Sequence, residues 1–207
     1  MCTTKEQVKT FLDIELSELQ KFVDRIDMQA LDKAKDLILN AEKEKNRVHV
    51  TGIGKPGHVA GYVASLLSST GTPAYELHGT EAVHGSSGQV MKNDVVIAIS
   101  NSGETAELKA TAETLKQNGA KIIAVTGKAG SWLAEKGDVA LIAGVEQEGD
   151  DMNKPPRGSI VAEIVMLQCL SILLQNERGL TPQQYVKWHP GGSLGQSIRE
   201  AQKLDMK

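Results

Sequence analysis

In Val95–Thr105, VVIAISNSGET, an apolar segment ends abruptly in small polar residues and a glycine. The apolar run predicts a strand that is buried on both faces of a sheet, and the residues that follow predict a helix. Serine and threonine hydroxyls can surround an anion at such a strand end, together with the free N–H groups of the next helix. A plain turn with serine as the helix N-cap is the alternative that this segment leaves open.

Similar apolar segments recur along the chain and alternate with helical patterns. Strands are predicted at 47–51, 74–77, 94–99, 121–126 and 138–143, and helices at about 57–69, 104–118, 131–136 and 159–175. This alternation is typical of a parallel sheet with helices on both faces. We therefore predict a Rossmann-like three-layer α/β sandwich with a five-stranded parallel sheet, whose ligands bind at the carboxyl ends of the strands.

Two amphipathic segments precede the first strand. The apolar residues of 8–26 and of 31–41 each fall on one helical stripe, and Asp27 is the candidate N-cap of the second helix. We predict that residues 1–46 form two helices that pack on or between the domains formed by residues 47–207. Their exposed apolar faces are candidates for a contact between subunits.

The bulk composition excludes several classes of partner. The 207 residues carry a net charge of −3 without a basic block, which speaks against nucleic acid. The chain begins without an apolar leader and has no run of about 18 apolar residues, so we expect a cytoplasmic protein without a membrane partner. Cys2 and Cys169 are too few and too far apart for a disulfide framework, and neither resembles a metal ligand or a nucleophile.

The turn Gly52–Gly57, GIGKPG, places a lysine between glycines after the first predicted strand. It matches the G-x-G-x-x-G pattern of dinucleotide sites, and Glu76 follows at the distance of a ribose-binding acid. The two leading helices, Lys55 within the turn and the lack of a following catalytic domain speak against that interpretation. The spacing of a P-loop is also missing. We expect the Lys55 ammonium group to hold a phosphate or a carbonyl oxygen at the sheet edge.

Two histidines stand beside glycines in predicted loops, where side chains are presented to ligands. They are His84, in EAVHG, and His189, in WHPGGSLG. Imidazole can give or take a proton near neutral pH, and a carboxylate such as Glu148 can do so if its pKa is raised. His49 and His58 are assigned structural roles, and His78 is left undecided.

Five motifs carry a resemblance to a known family. They are GIGKPGH at 52–58, STGTP at 69–73, EAVHG at 81–85, ISNSGET at 99–105 and HPGGSLG at 189–195. In this order and spacing they resemble the sugar isomerase (SIS) domain of the arabinose 5-phosphate isomerases, over about residues 47–198. The resemblance implies interconversion of D-ribulose 5-phosphate and D-arabinose 5-phosphate, which supplies Kdo for lipopolysaccharide. It also implies a cytoplasmic homo-oligomer, commonly a dimer of dimers, that uses no organic cofactor.

The same resemblance implies a set of site residues. Candidates for catalysis are Lys55, His84, Glu104, Glu148 and His189, and candidates for substrate binding are Gly52, Lys55, Ser100, Asn101, Ser102, Thr105 and Ser159; we expect no metal ligand among them. An aldose–ketose isomerase needs a base, an acid and a partner for the oxyanion of an enediol intermediate. We expect the serines to anchor the phosphate, Lys55 to polarise the carbonyl, and His189 to act as the base or as the acid that opens the sugar ring.

Two departures from the family pattern leave alternatives open. Many members continue into a pair of CBS domains, whereas this chain ends at Lys207, so we expect a single-domain form without that regulation. The family segment Pro-Thr-x-Ser-Thr-Thr reads PRGSIV at Pro156–Val161, where Arg157 adds a charge. The substrate could therefore be another phosphosugar, such as a hexulose 6-phosphate. A sugar-phosphate-binding SIS module without catalysis is the remaining alternative.

Overall fold

The computed structural model describes residues 3–191, and its elements follow the predicted alternation of strands and helices. In chain order they are α1 (Thr4–Asp24), α2 (Met28–Lys43), β1 (Val48–Gly52), α3 (Lys55–Ser69), β2 (Ala74–Glu76), α4 (Gly79–Ala82), a 3-10 turn (Ser86–Gln89), β3 (Val95–Ile99), α5 (Ala106–Gln117), β4 (Lys121–Thr126), α6 (Trp132–Lys136), β5 (Val139–Ile142), α7 (Gly158–Glu177) and α8 (Pro182–Trp188). The predicted three-layer α/β fold with five parallel strands is confirmed. Residues 192–207 lie outside the described residues. They include the end of the HPGGSLG motif and the end of the predicted domain 47–207.

The order of strands in the sheet is β2-β1-β3-β4-β5. The chain therefore moves to one side of β1 to reach β2 and to the other side to reach β3. Gly52 pairs with Ile99 at the carboxyl ends of β1 and β3, so the loops that follow these two strands lie side by side. This is the topological switch point, where open α/β sheets bind their ligands.

The sheet is covered on both faces, and its central strand β3 is accordingly apolar throughout. β3 gives Val95, Ile97 and Ile99 to one core cluster and Val96 and Ala98 to the other. The first cluster contains side chains of α1, α2, α3 and α7, and the second contains side chains of α5 and α6. Alternate side chains of a strand point to opposite faces, so each layer of helices packs against its own set.

Helix α7 is apolar around most of its circumference because it packs against several neighbours. Its length and composition would suffice to cross a membrane, yet half of its apolar window is buried within the protein. It contacts α1, α2 and α3. At 1.5 Å per residue its 20 residues span about 30 Å. It therefore reaches from the carboxyl edge of the sheet to the opposite edge.

The two leading helices pack into the same core as the sheet. Phe22 of α1 and Ala34 and Ile38 of α2 are buried in the first core cluster. The Asp27 side chain caps α2 by accepting hydrogen bonds from the N–H groups of Gln29 and Ala30. The leading segment is thus continuous in packing with the α/β layers of its own chain.

Two short elements between β2 and β3 were not predicted from the sequence. α4 and the 3-10 turn each have four residues, too few to show a helical repeat of apolar residues. Helix α5 begins at Ala106, two residues later than predicted, because Gly103 has a positive φ of 65° and Thr105 is the N-cap.

Candidate active site

The loops after β1 and β3 present two helix N-termini that have no side-chain cap. Gly54 before α3 and Thr105 before α5 make no capping hydrogen bond through a side chain. Other helices of the chain are capped in this way; the capping side chains of α1, α2, α6 and α8 come from Thr3, Asp27, Ser131 and Thr181. Uncapped N–H groups at a helix N-terminus attract an anion, and here two such ends lie at the switch point.

A cluster of hydroxyl groups lies in the loop between β3 and α5. Ser100 Oγ lies 3.1 Å from Thr105 Oγ1 and 3.5 Å from Ser102 Oγ. The N–H of Gly103 donates to Ser100 Oγ over 3.2 Å, and the N–H of Glu104 donates to Ser102 Oγ over 3.2 Å. The loop brings together the predicted phosphate-binding hydroxyls, with Ser100 buried and Ser102 exposed.

The backbone of Asn101 fixes this loop to the neighbouring strand end. Its carbonyl oxygen accepts hydrogen bonds from the N–H of Gly127 at 3.0 Å and from Thr126 Oγ1 at 3.2 Å. The Asn101 side chain lies against Gly127, which therefore has no room for a Cβ atom. These contacts hold the loop after β3 against the loop after β4.

Gly103 is the position in this loop that only glycine fits. Its φ of 65° lies in the left-handed region, and a Cβ atom would overlap the Ser131 side chain and approach Thr126 Oγ1 to 2.8 Å. We expect Gly103→Ala to lower the free energy of unfolding by about 2–4 kcal/mol, from backbone strain and overpacking together. Denaturant unfolding measures this, with Gly130→Ala as the control because Gly130 has no neighbour within 4 Å of its Cβ position. Equal losses in both variants would contradict the account of Gly103.

The Glu104 carboxylate fastens the loop to its surroundings. One oxygen accepts a hydrogen bond from the N–H of Trp132 at 2.7 Å, and the other pairs with the Lys109 ammonium group. The hydrogen bond from Lys109, and after it the one from Trp132, lowers the pKa of Glu104. A carboxylate that stays ionised suits this fastening role better than proton donation. The catalytic role of Glu104 stays a prediction.

The Glu148 carboxylate binds the N-terminal end of α7. Its Oε2 accepts hydrogen bonds from the N–H groups of Arg157 at 2.7 Å and Ser159 at 3.1 Å. Glu148 is buried, and its own N–H donates to Asn153 Oδ1 over 2.6 Å. The helix N-cap Arg157 makes no side-chain cap bond; its guanidinium group pairs with Asp150 at 2.8 Å instead. A buried negative charge is thus held at the positive end of a long helix.

Lys55 lies near this helix end. It is the first residue of α3, and it lines a groove together with Pro156 and Ile160 at the start of α7. Lys55 is exposed. The carboxyl edge of one chain therefore brings together Gly52, Lys55, the loop Ser100–Thr105 and the end of α7 that Glu148 binds. The Ser159 side chain, in contrast, is buried, and its hydroxyl has no hydrogen-bond partner among the described residues.

His189 lies at the opposite edge of the sheet. It follows Trp188, whose ring packs so closely on Gly71 that a Cβ atom there would lie 2.6 Å from Trp188 Cη2. Gly71 precedes the amino end of β2. The His189 ring stacks on Tyr185 with 3.8 Å between ring centroids, and its Nδ1 lies 2.8 Å from the Tyr185 carbonyl oxygen. With strands of about five residues the two edges are about 16 Å apart, so the structure does not bring His189 to Lys55 of the same chain.

His84 lies along α5, away from the hydroxyl loop. It stands between Gly79, whose carbonyl accepts a hydrogen bond from Thr111 in the middle of α5, and Ser87, whose carbonyl accepts one from Asn118 at the end of α5. The His84 side chain is exposed. Both histidines predicted to be catalytic are therefore on outer surfaces of the chain.

His49 and His78 have structural contacts. His58 is exposed and lines the groove beside Lys55, so the structural role assigned to it from the sequence stays a prediction. The His78 Nδ1 atom caps α4 by accepting a hydrogen bond from the N–H of Glu81, and it lies 3.0 Å from Thr80 Oγ1. His49 is buried with its Nε2 3.1 Å from Asp94 Oδ2, and burial lowers its pKa. Within residues 3–191 no group of three or more His, Cys, Asp or Glu side chains is arranged to hold a metal ion.

One buried acidic residue near the site was not predicted from the sequence. Glu163 is fully buried in α7, and neither of its carboxyl oxygens has a hydrogen-bond partner among the described residues. The available indication was its position as the one acidic residue in the apolar run of 160–174.

Known proteins resemble this chain in both sequence and fold. The family model for the SIS domain matches residues 42–173. Two curated relatives, both named arabinose 5-phosphate isomerase KdsD, are those of Francisella tularensis subsp. tularensis, 37% identical over 92% of this chain, and of Pseudomonas aeruginosa, 42% identical over 80% of it. The matches cover 58% and 50% of these relatives, so the chain spans about half their length.

A solved structure agrees over nearly its whole length. The protein c3406 of E. coli CFT073, in complex with arabinose 5-phosphate, superposes with a TM-score of 0.79 at 36% identity, covering 88% of this chain and 95% of the other.

Proposed function

Because the chain belongs to the SIS domain family, we propose that it is an isomerase that interconverts D-ribulose 5-phosphate and D-arabinose 5-phosphate. The observation that carries the proposal is the single edge that holds a loop with clustered hydroxyl groups, a lysine and a buried carboxylate. A sugar phosphate offers a matching set of groups, namely a dianionic phosphate and a carbonyl carbon several atoms away. The product would supply the synthesis of Kdo in the cytoplasm.

In this mechanism the phosphate is bound by Ser100, Ser102 and Thr105 with the N–H groups that begin α5. Lys55 faces the carbonyl oxygen and stabilises the negative charge that develops on it in the enediol. Glu148 and the two histidines then divide the proton transfers between the neighbouring carbons. Gly52 lets the first turn of α3 pack closely on the end of β1, because a Cβ atom there would collide with the backbone of Pro56 and Gly57.

We assign His84 and His189 to the active sites of neighbouring subunits. Both side chains lie on outer surfaces of their own chain, and His189 is at the wrong edge of its own sheet. A homo-oligomer accounts for these positions, because the histidines of one chain can lie beside the Lys55 of another chain. The active site is then complete only in the assembly.

Helix α1 supplies a candidate surface for that assembly. Val8, Leu12, Leu16 and Val23 are large apolar residues of α1 that are between 42% and 66% exposed. Successive members are four or seven residues apart and share one helical stripe. We propose that this stripe packs on another copy of the chain, as in a dimer of dimers.

Replacing Ser100 and Ser102 by alanine is expected to weaken binding of phosphorylated sugars about 10- to 100-fold, because hydrogen bonds to a charged phosphate are lost. Isothermal titration with arabinose 5-phosphate measures the effect. Thr114→Ala is the control, since its hydroxyl donates to the Ala110 carbonyl of its own helix. Unchanged affinity in the double variant would show that the phosphate binds elsewhere.

Incubation with ribulose 5-phosphate and with a hexulose 6-phosphate tests the substrate. We expect arabinose 5-phosphate to form at the higher kcat/KM. Arg157 gives a specific reason to include the hexulose phosphate, because it adds a charge at the start of α7. Faster turnover of the hexulose phosphate would replace the proposed substrate, and binding of both sugars without turnover would indicate a sensing module.

A further inference from the structure

The surroundings of the Glu163 side chain strongly disfavour a charged group. Its side chain has no exposed surface and lies in α7 between Ala162 and the buried Met166 and Leu167. Both carboxyl oxygens lack a hydrogen-bond partner among the described residues. Buried charges in proteins are normally paired, so the neutral acid is the form that fits this position. Burial, with a further contribution from Glu148, raises the pKa of Glu163 to about 8.

Glu163 lies directly behind the helix end that Glu148 binds. Ser159 stands four residues earlier, one turn away on the same face of α7. The Ser159 N–H donates to Glu148, and its buried hydroxyl has no partner among the described residues. Three polar groups therefore follow one another from the helix end into the core: the Glu148 carboxylate, the Ser159 hydroxyl and the Glu163 carboxyl.

The elements that pack against α7 carry charged groups that are unevenly distributed around it. They are Glu15 and Glu18 on α1, Lys35 on α2, Lys55 and His58 on α3, and Glu148 and Arg157 on the preceding loop. Burial, and after it Glu148, raises the pKa of Glu163, and the same two causes raise the pKa of Glu15. Glu18 is held by Lys21, and Lys35 lies near Glu177 at the far end of α7.

We propose that Glu163 is a positioning residue that acts through Glu148, and that loss of its proton sets the alkaline limit of turnover. While Glu163 is neutral, the Glu148 carboxylate stays in its hydrogen bonds to the N–H groups of Arg157 and Ser159. Ionised Glu163 places a buried negative charge behind the Glu148 carboxylate, and the repulsion between the two groups displaces Glu148 from those hydrogen bonds. This inference rests on the proposed role of Glu148 in proton transfer.

The test is the pH profile of kcat for the wild type, Glu163→Gln and Glu163→Met. In the wild type we expect kcat to fall as the pH rises through about 8, the pKa of Glu163. Both variants lack the titrating group, so we expect their alkaline limit to move up by about one pH unit or more. Glu177→Gln removes an exposed acid at the other end of α7 and is expected to keep the wild-type profile.

Thermal unfolding reports the proton without any activity. The folded-state pKa of Glu163 is raised from 4.5 to about 8, so the stability that its proton gives is full below pH 4.5 and is lost as the pH rises to about 8. We therefore expect the melting temperature of Glu163→Gln to gain on that of the wild type as the pH rises across this window.

The outcomes separate this inference from the proposed function. An active wild type whose alkaline limit survives unchanged in both variants overturns the role of Glu163 alone. So does a difference in melting temperature that stays constant with pH. A wild type that binds sugar phosphates, shows the pH-dependent difference in melting temperature and has no isomerase activity overturns the proposed function instead.

Discussion

Turnover of ribulose 5-phosphate is expected to fall by about two to four orders of magnitude when His189 is replaced by alanine or asparagine, the range for a lost acid–base group. Binding of the sugar phosphate is expected to stay nearly intact, because the phosphate is proposed to be bound by the hydroxyl loop and not by His189. Steady-state kinetics gives kcat, and isothermal titration gives the affinity. A loss confined to kcat would identify His189 as a group that acts in the transition state.

The control for this substitution is Lys187→Ala. Lys187 is an exposed neighbour on α8, and its removal is expected to leave turnover within about threefold of the wild type, as for most surface substitutions. Turnover of His189→Ala that stays in the same range would remove His189 from the chemistry. Turnover that falls together with loss of the oligomer would show that His189 acts in assembly.

Replacing Glu148 by glutamine is expected to lower kcat by about two to four orders of magnitude while the fold survives. The amide oxygen of glutamine can still accept the hydrogen bonds from the Arg157 and Ser159 N–H groups, but the side chain can no longer exchange a proton at neutral pH. Exchange of a charged acceptor for a neutral one is expected to cost about 1–2 kcal/mol of unfolding free energy. Kinetics and denaturant unfolding of the same variant separate the two roles.

Glu146→Gln serves as the matched control for Glu148→Gln. Its carboxylate is 67% exposed and lies near Lys21 and Arg25 of α1 and the loop that follows it. It is expected to keep wild-type kinetics. Full turnover in Glu148→Gln would show that Glu148 only binds the end of α7. The proton transfers would then have to come from the histidines.

The fold could be predicted because its central strands β1, β3 and β4 are almost entirely buried. An apolar run such as VVIAI at Val95–Ile99 indicates a buried strand even when its neighbouring strands are unknown. The regular alternation of such runs with helical patterns indicates a parallel sheet. The short α4 could not be predicted, because its four residues are held by contacts with α5 that are distant in sequence.

The site was predictable where it lies in loops at strand ends. Gly52 and Ser100 follow β1 and β3, and the order of the strands places their loops together. The positions of His84 and His189 were not predictable, because they depend on the course of the chain after β2 and after α7. Glu163 was missed since one acidic residue in an apolar helix shows its burial only when the packing is known.

A mixture of two inactive variants tests most directly whether the isomerase site is shared between chains. Lys55→Ala and His189→Ala, each nearly inactive alone, would be refolded together and supplied with ribulose 5-phosphate. If each site takes Lys55 and His189 from different chains, about a quarter of the sites in a randomly mixed oligomer hold both wild-type residues. Arabinose 5-phosphate should then form at about that fraction of the wild-type rate. A mixture that is no more active than its two components would contradict the account.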